Sequence, residues 1–290
     1  MHSTIEDFGA ALLKSGDLDP VYTTISRAAL DEETLHRLSL AYWCLYHLGA
    51  AAKLAEIKQP KKFWGTLMEA AVNEGLAWPR GSERRHFRAA NATNAVGCLV
   101  QRYKTPRMAV LGMLGQNEGA LGKGMTFATV SRAVQTHVGF GPWIAFKIAD
   151  MSERVLGWPT DFTGCELGVY KDPRQGAALA WYERAKAPGT AGDAYKDKPW
   201  EYPITDKELS DIIAHYVRHF SRFKAPPHAD RKVNVQEVET IFCKYKSHRK
   251  GHYPLGKDTR EISHGLDGWG DLAQQLKTGL PTLDRQAQLF

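Results

Sequence analysis

Asp161 is the carboxylate whose place in the chain most suggests chemistry. It follows the turn Gly157-Trp158-Pro159 and lies twenty residues after Gly141, the second glycine of Gly139-Phe140-Gly141. Placed in a reaction site, such a carboxylate can accept a proton from an incoming nucleophile or stabilise a cation that forms during the reaction. The alternative is that Asp161 only caps a helix, and the sequence leaves both interpretations open.

A second group of reactive side chains lies in the segment 243–258, which is rich in Lys, Arg and His and contains two glycines and a proline. We do not expect such a run in a core, and its loop chemistry would offer backbone N–H groups beside cationic donors. Those donors suit a pyrophosphate or a phosphodiester. The candidate anion ligands of this segment are Lys246, His248, His252, Tyr253 and Lys257.

The same segment has to be weighed as a metal site, because Cys243, His248 and His252 are spaced C-x4-H-x3-H. No fourth ligand is obvious nearby, and the surrounding lysines and arginines would repel a divalent cation. The sequence therefore predicts no metal site and no cofactor, and it leaves open whether Mg2+ accompanies a pyrophosphate.

A shorter basic cluster follows Pro79 and Gly81, which interrupt any helix, and Ser82, which could cap the next one. Basic side chains near a helix start can form an anion site, although a solvated basic turn explains them equally well. The candidate ligands in this cluster are Arg84, Arg85 and His86.

Two amphipathic helices must position the glycines and the aspartate. Apolar residues recur at helical spacing through 127–138 and again through 144–155, and Thr126 can cap the first helix. Gly139 can end the first helix with a positive φ, and Pro142 suits the first turn of the second. The second helix would then begin with backbone N–H groups that can receive a phosphate.

This arrangement resembles the helix-hairpin-helix DNA glycosylase superfamily, in which a G-x-G hairpin grips a DNA phosphate and a catalytic aspartate follows. The resemblance implies that Gly139 and Gly141, together with Lys147, contact DNA and that Asp161 is catalytic. Trp143 stands where lyase-type members carry a Schiff-base lysine. We therefore expect no imine with a sugar at that position.

Almost everything before residue 190 is predicted to be helical, and no stretch shows sustained β alternation. A helix over 32–55 carries Trp43 and Tyr46, which could stack on a base, although a packed core is the alternative for Trp43. The resemblance implies a mainly α, glycosylase-like fold with two helical lobes and a cleft between them. It would form one domain over 1–290, with the hairpin at 126–157 and a basic segment at 218–265. The other predicted helices span 5–14, 18–29, 60–75, 89–102, 105–115, 173–186, 205–223 and 233–245.

The charge of the chain indicates a polyanionic partner. The net charge is +6, and residues 218–260 hold eleven Lys/Arg against four Asp/Glu, a local net charge of +7. The four cysteines form no C-x-x-C pair, which indicates a reduced protein of the cytoplasm. No apolar stretch reaches about eighteen residues, so no membrane span is expected.

The pattern K-S-H-x-x-G-H-Y-P-x-G-K-D at 246–258, with residues 83–88 and the hairpin–Asp161 block, carries a narrower resemblance. It is similar to bacteriophage thymine-hypermodification proteins, the alpha-glutamyl/putrescinyl thymine pyrophosphorylases or amino acid:DNA transferases. The resemblance implies action on double-stranded DNA bearing 5-pyrophosphoryloxymethyl-uracil, where a small amine or amino acid replaces the pyrophosphate. The base would first be flipped out of the duplex.

Two other functions stay open at this point. A monofunctional DNA glycosylase would share Asp161 and the absent lysine, but it would not need the cationic residues 244–258. A non-catalytic DNA-binding protein would use Asp161 only as a cap. The amine donor is also open, because glycine, glutamate and putrescine are all compatible with the sequence.

Overall fold

A computed structural model describes residues 4–73, 75, 77–84, 87–119, 121–184 and 194–282. Helices make up most of the described chain and nearly all of its regular secondary structure, which confirms the predicted mainly α class. It divides into two compact units. Unit 1 comprises Met1–Pro20, Gly164–Thr259 and Pro281–Phe290, and unit 2 comprises Val21–Thr163 and Arg260–Leu280.

Short strands and helices make up the regular structure of the described chain. Two strands of two residues each, β1 (Met125–Thr126) and β2 (Thr160–Asp161), pair in parallel. In chain order, the α-helices are α1 (Ile5–Ser15), α2 (Pro20–Arg27), α3 (Glu32–Leu45), α4 (Leu48–Ala55), α5 (Pro60–Val72), α6 (Ala89–Arg102), α7 (Pro106–Met113), α8 (Phe127–Gln135), α9 (Pro142–Arg154), α10 (Lys171–Arg184), α11 (Asp206–Phe220), α12 (Val235–Arg249), α13 (Lys257–Gly265) and α14 (Asp271–Thr278).

The prediction of one continuous helix over 32–55 is wrong, because the chain breaks between α3 and α4. Tyr46 has a φ of +54°, and the side chain of His47 caps α4 by accepting the N–H of Ala50 at 3.1 Å. The cause lies elsewhere in the sequence. Gly81 donates its N–H to the carbonyl of Leu45 at 3.0 Å, and a Cβ at Gly81 would lie 2.2 Å from the carbonyl oxygen of Tyr46. The approach of this second segment uses the carbonyl that a continuing helix would need.

The predicted helical hairpin is confirmed as α8 and α9. Thr126 caps α8 in a capping box with Thr129, and Pro142 occupies the first turn of α9. Gly139 has a φ of +78°, and a Cβ there would lie 3.0 Å from Ala95 Cβ, so the turn requires glycine. Helix α8 ends at Gln135, three residues before the predicted end, which leaves a wider turn than the sequence indicated.

The parallel pair of β1 and β2 was not predicted. Its register places Met125 opposite Thr160 and Thr126 opposite Asp161. Since Thr126 is the N-cap of α8, the pair holds the chain at Asp161 beside the start of that helix. Two residues per strand are too few to leave an alternating pattern in a sequence.

Unit 1 is built on α1, α10, α11 and α12, whose apolar residues share one core. Helices α10 and α12 approach each other at Gly176, where a Cβ would lie 2.1 Å from the carbonyl oxygen of Phe242. The largest fully buried side chains of this core are Phe8, Tyr216, Phe220, Phe242 and Tyr245.

The expectation that residues 243–258 form a loop outside the core is wrong for residues 243–249. Helix α12 continues through Arg249, and α13 begins at Lys257. Four side chains of the last part of α12 are buried in spite of their polar groups, because partners within unit 1 satisfy most of those groups. They are Lys244, Tyr245, Lys246 and His248. In the part of the chain that the structure describes, no helix has the length and apolar character to cross a membrane.

Candidate active site

Asp161 is an exposed residue between two buried neighbours, Thr160 and Phe162. Phe162 stacks on Phe127 of α8, with 5.6 Å between ring centroids. The hydroxyl of Thr160 lies 2.8 Å from the hydroxyl of Ser152 on α9. Because both neighbours are anchored on the two hairpin helices, the backbone at Asp161 has a fixed place on the surface of unit 2.

The carboxylate of Asp161 accepts the N–H of Thr163 at 2.8 Å. It therefore closes a turn, and the next helical residues in the described chain are the 3-10 turn Leu167–Val169. Hydrogen bonds from the side chain and backbone of Thr163 lower the pKa of Asp161 below its ordinary value. The group is ionised at neutral pH, which suits the stabilisation of a cation better than the removal of a proton.

The turn between α8 and α9 borders an open cleft of about 570 Å³, which we call the hairpin cleft. The N-cap of α9 is Gly141, which has no side chain to accept the N–H groups of the first helical turn. An uncapped helix start beside a cleft is a suitable place for a phosphate. The described residues that line the cleft are Arg84, Phe87, Asn91, Gln135, His137, Val138, Gly139, Phe140 and Gly141.

Arg84, one of the predicted anion ligands, lies at this cleft. Its Nη1 donates to the carbonyl of Gly139 at 3.2 Å, and its guanidinium carbon lies 4.1 Å from the centre of the Phe87 ring. The structure thus brings together the basic cluster that follows Gly81 and the turn between α8 and α9, which the sequence offered no reason to connect. Arg85 and His86 lie outside the described residues, and their role stays a prediction.

Two partly exposed aromatic rings meet next to the hairpin. Tyr46 stacks on Tyr42 at 4.6 Å, and its ring centroid lies 5.2 Å from that of Trp143 in the first turn of α9. From the sequence, Trp143 was interpreted only as the residue that stands where lyase-type proteins carry a lysine. Its position two residues after Gly141 was the signal that could have marked it as a site residue.

Trp43, the other predicted stacking residue, is 0 % exposed. Its indole N–H points to the sulfur of Met151 on α9 at 3.2 Å. In this structure Trp43 offers no surface to a base, which agrees with the alternative of a packed core. The difference in exposure between Trp43 and Tyr46 follows from their places on the chain. Trp43 lies inside α3, whereas Tyr46 lies at its end, where the chain leaves the helix.

Lys147, a predicted DNA contact, lies on α9 with a buried side chain. Its ammonium is 5.2 Å from the centre of the Phe146 ring. Helix α9, which carries Lys147, is the second helix of the hairpin. The contact of Lys147 with DNA stays a prediction.

In unit 1, a buried carboxylate organises the segment that follows α12. Asp17 accepts hydrogen bonds from the hydroxyl of Tyr253 and the N–H of Gly256, both at 2.7 Å. Thr259 donates its N–H at 2.9 Å and its hydroxyl at 2.7 Å to the other carboxylate oxygen. We call this arrangement the Asp17 network. Burial, followed by the nearby Asp258 and Asp17 carboxylates, raises the pKa of Tyr253 well above its ordinary value, so its hydroxyl keeps the proton that it donates.

Lys244 completes the Asp17 network. Its Nζ donates to the backbone carbonyl of Asp17 at 2.5 Å and pairs with Asp258 at 2.5 Å. Asp17 could not be identified from the sequence, because its partners lie more than 220 positions later in the chain. Its place between Gly16 and Leu18, at the end of an amphipathic helix, was the only local signal.

Besides Tyr253, two further predicted pyrophosphate ligands are buried with partners inside unit 1. Lys246 forms an ion pair with Asp172 and donates to Gln175 at 3.2 Å. His248 stacks on Phe8 at 4.6 Å, and its Nδ1 lies 2.9 Å from the carbonyl oxygen of Tyr253. Binding of an anion by either side chain would require an exchange of these partners, and the role of both stays a prediction.

His252 and Lys257 are nearer to solvent. The side chain of His252 is exposed, and that of Lys257 is half-buried with its Nζ donating to the His252 carbonyl at 3.2 Å. Gly251 follows the end of α12 and precedes both residues. Its φ of +74° turns the chain out of the helix. These two side chains are the predicted ligands of the segment that an anion could reach with the least rearrangement.

Comparisons with known proteins match the chain over most of its length. A family model described as amino acid:DNA transferase matches residues 8–252. A glycinyltransferase of Pseudomonas phage PaMx11 is 41% identical over 280 residues, which cover 93% of this chain and 92% of that protein. A putrescinyltransferase of Delftia phage PhiW-14 is 28% identical over 278 residues, which cover 95% of this chain and 82% of that protein.

Proposed function

The chain belongs to the amino acid:DNA transferase family, and on that premise we propose that it transfers glycine through its amino group onto 5-pyrophosphoryloxymethyl-uracil in double-stranded DNA. The observation that carries this proposal is the family match over residues 8–252. Glycine is favoured as the donor because the glycinyltransferase is 41% identical to this chain and the putrescinyltransferase is 28% identical. Since both relatives are phage proteins, the reaction would take place in the cytoplasm of an infected cell.

The reaction forms one bond and breaks one. The amine nitrogen bonds to the exocyclic CH2 of the base, and the C–O bond to the pyrophosphate breaks with its electron pair leaving on the pyrophosphate. The glycine ammonium loses one proton before the attack and one after it. The electron-rich pyrimidine ring can spread the positive charge that develops at the CH2, so a nearby carboxylate lowers the barrier.

Asp161 is assigned that electrostatic role. It is exposed, ionised and fixed between anchored neighbours, which are the properties that a preorganised charge requires. Its lowered pKa makes it a weak proton acceptor, so solvent or the donor itself is the better acceptor for the amine protons.

The base and the backbone of the DNA are assigned to the hairpin side of unit 2. The uncapped start of α9 would receive a phosphate, with Gly139 and Gly141 allowing its close approach. Tyr46 and Trp143, whose rings meet 5.2 Å apart, would stack on the extruded base. The leaving pyrophosphate needs clustered cations, and His252 and Lys257 remain its predicted ligands.

The test is incubation of the protein with pyrophosphorylated duplex DNA and a panel of amines, followed by mass analysis of the nucleosides. We expect a nucleoside in which glycine has replaced pyrophosphate, with glutamate and putrescine transferred more slowly. Abasic sites in place of a new nucleoside would identify a monofunctional glycosylase. Binding without any product would identify a non-catalytic DNA-binding protein.

A further inference from the structure

The guanidinium of Arg84 is buried without full compensation of its charge or its donors. The residue is 7% exposed, and one nitrogen donates to the carbonyl of Gly139 at 3.2 Å. Its Nε and Nη2 are buried and have no hydrogen-bond partner among the residues that the structure describes. Buried arginine donors are normally satisfied, so two such nitrogens in one side chain require an explanation.

Two aromatic rings hold this guanidinium in place. Its central carbon lies 4.1 Å from the centre of the Phe87 ring and 5.0 Å from that of Phe140. The ring faces attract the cation, but they supply no negative charge. Burial lowers the pKa of Arg84 to about 10, so the side chain remains positively charged at neutral pH.

The surroundings of Arg84 favour an anion. None of the described residues that line the hairpin cleft is acidic. His137 is neutral at physiological pH, because burial lowers its pKa and its Nε2 lies 2.7 Å from the hydroxyl of Tyr103. Gly141, the N-cap of α9, also lines the cleft, so the positive end of that helix dipole lies beside it. Arg84 and the start of α9 therefore both give the cleft a positive electrostatic potential.

We infer that Arg84 is the positioning residue of the proposed phosphate contact: it holds the Gly139 carbonyl and supplies the charge that a phosphodiester in the hairpin cleft neutralises. The inference rests on the proposed function in taking DNA as the ligand and the hairpin as its contact. Because Arg84 lines the cleft and donates to the Gly139 carbonyl, it acts on the phosphate through the turn and through its charge. A single guanidinium and one helix start match a phosphodiester, whereas pyrophosphate carries more charge and needs more cations.

The experiment measures the affinity for a plain, unmodified duplex over a series of salt concentrations. Loss of the Arg84 charge in Arg84→Met should weaken binding about ten-fold at low salt and reduce the slope of log Kd against log salt by about one. Arg84→Lys, which keeps the charge, should keep the slope.

Arg80 provides the matched control from the same loop. Its Nε donates to the carbonyl of Phe87 and its Nη2 to that of Ala70, both at 2.8 Å, and it does not line the cleft. We expect Arg80→Met to lower the Tm and to leave the salt slope unchanged. An unchanged slope in Arg84→Met would show that Arg84 is merely structural and would overturn the inference.

A second variant keeps the inference testable if Arg84→Met does not fold. Val138 is 44% exposed at the cleft, so Val138→Glu places a carboxylate there without disturbing the core. We expect Val138→Glu to weaken plain-duplex binding at least ten-fold more than Val138→Gln and to raise the Tm of the free protein. Equal effects of the two substitutions would contradict a phosphate at this cleft.

The nature of the anion is decided by comparing two duplexes. The inference predicts that Arg84→Met loses affinity equally for plain and pyrophosphorylated DNA, whereas a loss confined to the pyrophosphorylated duplex would assign Arg84 to the leaving group and overturn it. These binding assays need no turnover. A protein that shows the predicted slopes but transfers no amine would refute the proposed function and leave the phosphodiester site intact.

Discussion

At the scale of single residues, Asp161 illustrates how a carboxylate can be prepared for a charge that forms later. Its own hydrogen bonds to Thr163 keep it ionised, and the buried side chains of Thr160 and Phe162 keep its backbone from moving. The sequence was sufficient to single out this residue, because its spacing from Gly141 is local information. Its turn with Thr163 could not be predicted, since an Asp in this position could also have started a helix.

We expect Asp161→Asn to reduce amine transfer by about 100-fold or more, because the amide keeps the shape but lacks the charge that stabilises the developing cation. The affinity for the duplex should remain nearly unchanged. Nucleoside mass analysis measures the first quantity and fluorescence anisotropy the second. A variant that turns over normally but binds poorly would make Asp161 a DNA contact.

Lys257 provides a test of the proposed pyrophosphate ligands. We expect Lys257→Ala to slow transfer on pyrophosphorylated DNA about ten-fold, because a cation that stabilises the leaving group is removed. Binding of plain DNA should change little. The control is Lys250→Ala, because Lys250 belongs to the same basic segment but is not a predicted ligand. Its ammonium lies 4.4 Å from the centre of the Trp200 ring. Equal losses on both kinds of DNA would identify Lys257 as an ordinary backbone contact.

At the scale of elements, the hairpin was predictable and the break after α3 was not. Thr126, Gly139 and Pro142 act on their own neighbours in the sequence, so their caps and turns could be inferred directly. The break at Tyr46 depends on Gly81, which is 35 positions away. The polar end of α12 was missed for the same reason, because its partners Asp172 and Asp17 belong to distant segments.

Gly81→Ala tests the cause of that break. The new Cβ would lie 2.2 Å from the carbonyl oxygen of Tyr46, and a backbone atom cannot move aside as a side chain can. We expect a loss of about 2 kcal/mol in the free energy of unfolding. The matched control is Gly65→Ala in α5, where a Cβ meets nothing within 4 Å and should stabilise the protein by about 0.5–1 kcal/mol. Chemical denaturation measures both, and similar values for the two substitutions would contradict the steric explanation.

At the scale of the whole molecule, the segments that make up each compact unit could not be predicted, because unit 1 combines the first residues of the chain with residues after 163. Local patterns predict helices, but they do not say which distant helices share a core. The single domain over 1–290 stays a prediction. The Asp17 network shows what such long-range assembly depends on, since one carboxylate accepts four hydrogen bonds from residues 253–259.

We expect Asp17→Asn to destabilise the protein by about 3 kcal/mol, because an amide oxygen replaces two charged acceptors and its NH2 faces donors. Thermal or urea unfolding measures this loss. Asp211→Asn is the control, because the pair of Asp211 with Lys207 is exposed and its removal should change the free energy of unfolding by less than about 0.5 kcal/mol. A loss at Asp17 as small as that at Asp211 would show that the network does not hold unit 1.

The division of unit 1 along the chain also sets an order of events during synthesis. Helix α1 ends at Ser15, whereas α12, against which it packs, begins at Val235. At about 5–20 residues per second, a ribosome needs roughly ten to forty seconds to make the chain between them. During that time the apolar face of α1 is outside the ribosome, and α12 has not yet been made. A nascent chain stopped before α12 should therefore be a better substrate for chaperones and proteases than the finished protein.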